Sequence, residues 1–151
     1  MTDAAAADPR DTTIEVAVRS TDMDADRNVN NAVFFQYFEQ SRLEHLLRYG
    51  VIAWPPRREG GTPQFALAHT AASFRAPAVH RDVLLVTTRT AAVGGKSWTL
   101  AYEVRRRGHD TLICEGSSVQ VWLGPDGRAA PLPDDVRAAL QRSLAPDREE
   151  A

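Results

Sequence analysis

Ile14, Val16 and Val18 are separated by single residues, the two-residue period of a short half-buried strand. An acidic stretch, Thr21 to Asn28, follows as a loop. The period then changes, and a helix is expected from Asn30 or Asn31 to Tyr49. Asn is a favoured N-cap, and Gly50 stands where a left-handed C-cap belongs. Phe34, Phe35, Phe38, Arg42, His45, Leu46 and Tyr49 share one face at helical spacing. Tyr37, Leu43 and Leu47 lie elsewhere on the circumference, so this helix should be buried on more than one side and wrapped by other elements.

Trp54 to Gly61 is turn and loop chemistry. Beyond it the two-residue period returns in four segments: Phe65 to Phe74, Val83 to Val93, Lys96 to Arg107 and Thr111 to Leu123. In the third, Trp98, Leu100, Tyr102 and Val104 alternate with Thr99, Ala101, Glu103 and Arg105; in the fourth, Ile113, Val119, Val121 and Leu123 are expected to share the buried face. Gly94-Gly95 and Arg107-Gly108-His109-Asp110 read as hairpin turns, and Pro125-Asp126-Gly127 ends the last strand. A short helix is expected from Asp134 to Leu144, capped by Asp134 after Pro133.

Strand, long helix, then four strands joined mostly by hairpins is an α+β order. A five-stranded antiparallel sheet wrapped around one long central helix satisfies it. With 151 residues and no internal repeat, one domain over residues 13–145 is expected, between a disordered Ala- and Asp-rich tail, 1–12, and a charged tail, 146–151. Net charge is −2, which recommends neither nucleic acid nor an anionic membrane as partner. Cys114 is the only cysteine, so neither a disulfide framework nor a thiolate metal cluster is expected. No signal peptide or membrane-spanning run is apparent, which leads to the expectation of a cytoplasmic protein.

The densest polar feature is Asp22-Met-Asp24-Ala-Asp26-Arg-Asn28-Val-Asn30-Asn31, set between a strand and a helix start. Three readings compete for it. A calcium loop would need Gly at its sixth position and Glu at its twelfth, where Arg27 and Val33 stand. The residues also serve as turn formers and helix caps, which is reading enough for Asp22, Asp26 and Asn28 taken singly. The third reading is catalytic. Unpaired amides at a helix start stabilise an oxyanion, and a carboxylate just upstream, Asp24, activates water or attacks a carbonyl itself.

The run from Asp22 to Phe34, with Tyr37-Phe38-Glu39-Gln40-Ser41-Arg42 behind it, resembles the signature of the 4-hydroxybenzoyl-CoA thioesterase-like family. There, D-x-D-A-x-x-x-V-N-N leads into the central helix of a hotdog fold. The likeness extends from Ile14 to about Leu144. Phe74-Arg75-Ala76-Pro77, Gly95-Lys96-Ser97, Gly127-Arg128 and Pro131-Leu132-Pro133 resemble later family motifs in order. The resemblance implies hydrolysis of an acyl-CoA without metal or cofactor. Asp24 would be base or nucleophile and the Asn31 backbone amide the oxyanion donor. It also implies substrate contacts at Val29, Asn30, Phe34, Arg75, Gly95, Lys96 and Ser97, and a homo-oligomer, dimer or dimer of dimers, with sites between subunits. Many members carry Gly-His where this chain has Arg27-Asn28. That departure motivates the alternative of a non-catalytic hotdog module binding acyl-CoA or acyl-carrier protein. A hotdog dehydratase would need a His in this loop, and none is present.

Other residues invite simpler readings. Glu39 and Arg42 are spaced for an ion pair. His45, His69, His80 and His109 have no zinc-ligand spacing, and Gly116-Ser117-Ser118 lacks a nucleophile elbow. Cys114 reads as a packed small residue, and Arg105-Arg106-Arg107 as a solvated strand end or a contact for CoA phosphates.

Overall fold

The computed structural model describes residues 8–55 and 64–145. Five strands, β1 (Thr12–Ala17), β2 (Phe65–Phe74), β3 (Val83–Val93), β4 (Ser97–Arg106) and β5 (Leu112–Trp122), form one antiparallel sheet in the order β1-β3-β4-β5-β2. A 3₁₀ turn, Ser20–Asp22, and a long helix, α1 (Asn31–Arg48), follow β1, and a short helix, α2 (Asp134–Ser143), closes the chain. This is the expected hotdog arrangement.

Helix α1 starts and stops where its sequence dictates. The Asn30 side chain accepts from the Ala32 amide at 3.0 Å. At the other end Gly50 has φ +72°, and Gly50 and Val51 donate to Leu47 and Leu46 carbonyls at 3.1 and 2.9 Å. These are the paired bonds of a Schellman ending. Phe34, Tyr37, Phe38, Ser41, Arg42, His45 and Leu46 are buried. Gln36, Glu39, Gln40, Leu43 and Glu44 remain exposed, so within one chain the sheet covers a single side of the helix rather than its whole circumference.

Against α1 the sheet presents Leu84 and Val86 from β3 and Trp98, Leu100, Tyr102 and Val104 from β4, all buried. Phe38 stacks on Tyr102 with ring centroids 4.5 Å apart and planes 9° from parallel. Gly116 of β5 sits beneath them, where a Cβ would stand 2.6 Å from the Phe38 ring and 2.5 Å from the Ala71 carbonyl oxygen.

Strand β5 corrects the expected face. Its buried positions are Ile113, Cys114, Ser118, Gln120 and Trp122, while Val119 and Val121 are only half-buried. The ladder skips a residue near Ile113, between the pairs Val104↔Cys114 and Arg105↔Leu112. Past that irregularity, polar Ser118 and Gln120 turn inward because they have partners there. Ser118 meets the Tyr102 hydroxyl at 2.5 Å, and Gln120 donates to Ser118.

Two smaller expectations also change. Pro133, not Asp134, occupies the N-cap of α2, with no side-chain capping bond; Asp134 and Asp135 instead bring negative charge to its first turn. Asp8 to Asp11, expected in a tail, are held against the end of α1. Arg48 donates to the carbonyls of Pro9 and Asp11, the latter at 2.7 Å, and the Tyr49 hydroxyl to that of Arg10 at 2.6 Å. The expected tails over 1–7 and 146–151, and most of the loop from Trp54 to Gly61, lie outside the described residues.

Candidate active site

The segment between the 3₁₀ turn and α1 is a tight reverse turn pinned at both ends. Met23 and Val29 form an antiparallel bridge, the Asp24 amide donates to the Asn28 carbonyl at 2.8 Å, and the Arg27 amide to the Asp24 carbonyl at 3.1 Å. Val29, 3% exposed, donates to the Ala78 carbonyl at 2.8 Å, which presses the loop onto the core. Arg27 adopts φ +64°. The same hydrogen-bond pattern recurs from Gly124 to Arg128, and there Gly127 takes the left-handed position at φ +78°. The geometry thus favours glycine at position 27, where this chain has arginine.

The two acidic residues of the motif have separate environments. Asp22, 2% exposed, accepts from the Tyr37 hydroxyl at 2.8 Å, from the Arg19 amide at 2.9 Å and from the Arg19 guanidinium at 2.9 and 3.2 Å. Burial raises its pKa, but these donors outweigh burial and hold the carboxyl below the usual carboxylate range. The Tyr37 phenol is pushed up by burial and by the same carboxylate. Asp24 is exposed, and its Oδ1 accepts from the Asp26 and Asn28 amides at 2.9 and 3.3 Å.

Beside this loop, at the start of α1, lies a cleft of about 280 Å³ lined by Asn28, Val29, Asn31 and Phe34 on one side and by residues 74–78 on the other. The Phe34 and Phe74 rings pack across it, 5.6 Å apart. Asn31 opens α1. The Asn30 side chain and carbonyl take the amides of Ala32 and Val33, while the Asn31 amide has no partner among the described residues. A free N–H at the positive end of an 18-residue helix is suited to a carbonyl oxygen gaining charge. Arg75 stands at the rim, its side chain 55% exposed and paired with Glu115.

Four of the expected site residues therefore meet in the cleft: Val29, Asn31, Phe34 and Arg75. Asn30 is adjacent but spends its side chain on the helix cap. Asp24 does not line the cleft; its loop neighbour Asn28 does. Gly95, Lys96 and Ser97 are elsewhere. Ser97 pairs with Val121, whereas Arg75 reaches Glu115, six residues along β5, so the turn and Arg75 are about 20 Å apart within one chain. The carbonyl of Gly95 is engaged by Leu132 and Arg137, each at 3.0 Å. Phe74 and Pro77 entered the sequence reading through a motif at a strand end, and Asn28 as a turn former and half of the Arg27-Asn28 departure, none of them as a substrate contact. What they share is a cleft between distant elements, which no local spacing records.

The remaining candidates take structural places. Arg42 does not pair with Glu39, which is exposed; it turns inward and donates to the Tyr102 hydroxyl at 3.3 Å. Arg105 pairs with Glu103 and Asp110, Arg106 with Asp82, and Arg107 with Glu15. Burial pushes the Cys114 thiol up to about 12, which leaves little thiolate for nucleophilic work. Among the described residues no group of three His, Cys, Asp or Glu side chains is placed to hold a metal ion. No helix among the described residues is long and apolar enough to cross a membrane.

Comparison with known proteins agrees with this architecture. The family model of the thioesterase-like superfamily matches residues 18–140. The long-chain acyl-CoA thioesterase FadM of Escherichia coli is 27% identical over 105 residues, 70% of this chain and 73% of that protein. The chloroplast acyl-acyl carrier protein thioesterase ATL3 of Arabidopsis thaliana is 24% identical over 134 residues, 89% of this chain and 70% of that protein. Among solved structures, a thioesterase of Thermus thermophilus complexed with coenzyme A and zinc superposes with a TM-score of 0.74. It is 30% identical and covers 87% of this chain and 92% of that one. The chain belongs to the thioesterase-like superfamily and, with it, to the thioester hydrolases.

Proposed function

We propose that the chain hydrolyses an acyl-CoA to the free acid and CoA, with the thioester carbonyl on the Asn31 amide and Asp24 as general base or nucleophile. The observation that carries this reading is the Asn31 amide, without a partner among the described residues, on a residue that lines the cleft at the start of α1. As water, or Asp24 itself, adds to the carbonyl carbon, the oxygen gains negative charge and the amide takes it. Collapse expels the CoA thiolate. If Asp24 is the nucleophile, an anhydride forms and water then opens it. Asp24 Oδ1 is oriented by two amides of its own turn, and Oδ2 has no partner among the described residues, so one oxygen remains for this work. Val29 and Phe34 supply the cleft's walls and Arg75 an anion contact at its rim.

A second copy of the chain belongs to the proposal. Strand β2 pairs only with β5, its other edge has no partner among the described residues, and Leu67 and Phe74 are 45% and 41% exposed along it. A homo-oligomer built on this edge would cover β2 and close the cleft, and would offer a route for Gly95 to Ser97 of one protomer to approach the site of its partner. The cytoplasm is the proposed location.

One observation favours a second reading. Asp24 lies outside the cleft in a single chain, as it would in a module that binds acyl-CoA or acyl-carrier protein without turnover. The test is hydrolysis of an acyl-CoA panel, followed with a thiol reagent. Replacing Asp24 by Asn should lower kcat by about 10²-fold or more with KM little changed. Undiminished turnover in that variant would exclude Asp24 from the chemistry.

A further inference from the structure

We infer that Glu115 is a positioning residue for Arg75, and that the pair is a preset receptor for the phosphate of a phosphopantetheine arm, the group shared by CoA and acyl-carrier protein. This rests on the proposed function, since it takes the cleft at Asn31 as the thioester site. Arg75 is anchored by its backbone, its amide donating to the Ile113 carbonyl at 2.8 Å. Its guanidinium meets one oxygen of Glu115, with Nε at 3.2 Å and Nη2 at 2.6 Å. That uses one edge of the fork. Nη1, on the other edge, has no partner among the described residues. A carboxylate that holds a guanidinium by one edge leaves the second edge oriented, and a planar two-donor edge matches phosphate oxygens. Arg75 lines the cleft that contains Asn31, whereas Glu115 does not. The carboxylate therefore acts on a ligand there through Arg75.

Glu115 also has a reason to keep Arg75. It lies directly across the ladder from Glu103, a like-charged pair that is unfavourable by itself. Arg75 offsets one carboxylate and Arg105 the other. Removing Glu115 relieves the repulsion, so the substitution should not threaten folding.

The experiment is calorimetric titration of the full chain with CoA, 4′-phosphopantetheine and pantetheine. It compares wild type with Glu115→Ala, Arg75→Met and the double variant. Glu115→Ala should weaken both phosphorylated ligands about five- to tenfold and leave pantetheine unchanged, and the double variant should match Arg75→Met alone. Binding of CoA that is unchanged or tighter in Glu115→Ala, or an equal loss with pantetheine, overturns the inference. A loss confined to CoA overturns the assignment to the arm's own phosphate. Steady-state KM for acyl-CoA and acyl-carrier protein, with kcat unchanged, then shows which bearer uses the contact. Normal thioester turnover beside a failed titration sinks this inference alone. Phosphate-dependent binding without turnover in wild type sinks the hydrolase mechanism and leaves the receptor standing.

Discussion

Asp22 and Asp24 stand two residues apart and do different work because one is enclosed and the other is not. Asp22 satisfies Tyr37, Arg19 and, through its carbonyl, the Asn30 amide at 2.9 Å, so it joins the 3₁₀ turn to the start of α1. Tyr37→Phe removes a buried donor to a buried carboxylate and should cost about 1–3 kcal/mol in urea unfolding. Asp24→Asn, in an exposed turn, should leave that midpoint nearly unmoved. If the two substitutions reversed roles, with Tyr37→Phe silent and Asp24→Asn unfolding the chain, the assignment of the structural carboxylate would be wrong.

Among the elements, α1 and β5 depend on each other at one point. The Phe38 ring stacks on Tyr102 above Gly116, and the space it fills exists because position 116 has no side chain. Gly116→Ala places a methyl against the Ala71 carbonyl, which is backbone and cannot swing away. Overpacking of this kind costs about 1–3 kcal/mol, to be read as a lowered thermal midpoint. Further along the same strands, Tyr102, Ser118 and Gln120 form a polar chain that ends at the Arg42 guanidinium. That chain explains why β5 turns its serine and glutamine inward and leaves Val119 and Val121 half-buried.

At the scale of the whole molecule, His45 joins four elements. Its Nδ1 meets Thr12 of β1 at 2.7 Å and its Nε2 meets Thr90 of β3 at 2.8 Å, and Thr90 meets Ser143 of α2 at 2.6 Å. Burial, then the nearby Arg48 charge, brings its pKa from the usual 6.5 down to about 4. Above pH 6.5 neither folded nor unfolded His45 is protonated, and the stability due to this group is complete. As pH falls from 6.5 to 4 the unfolded chain takes up the proton first, and about 3 kcal/mol is lost. Urea unfolding across that window should show the loss, and His45→Gln should flatten it. The exposed β2 edge makes its own prediction. Sedimentation should give at least twice the monomer mass, and Leu67→Lys should shift the equilibrium toward monomer. A wild-type monomer at all concentrations would remove the second copy from the proposed site.

Local signals carried far in this chain. The two-residue alternation of Trp98 to Val104, the Asn30 cap and the Gly50 stop each depend on neighbours within one turn or one strand, so sequence determined the elements, their order and the α+β class. The motif from Asp22 to Asn31 likewise placed a carboxylate before a helix amide. Only the tertiary structure decided which acid is enclosed, that Arg42 leaves Glu39 for Tyr102, and which face of β5 looks inward. It also separated Arg75 from the Gly95 to Ser97 turn and set it beside Asn31. The reason is physical: burial, partner choice and cleft geometry are sums over residues distant in sequence, and periodicity carries no record of those distances.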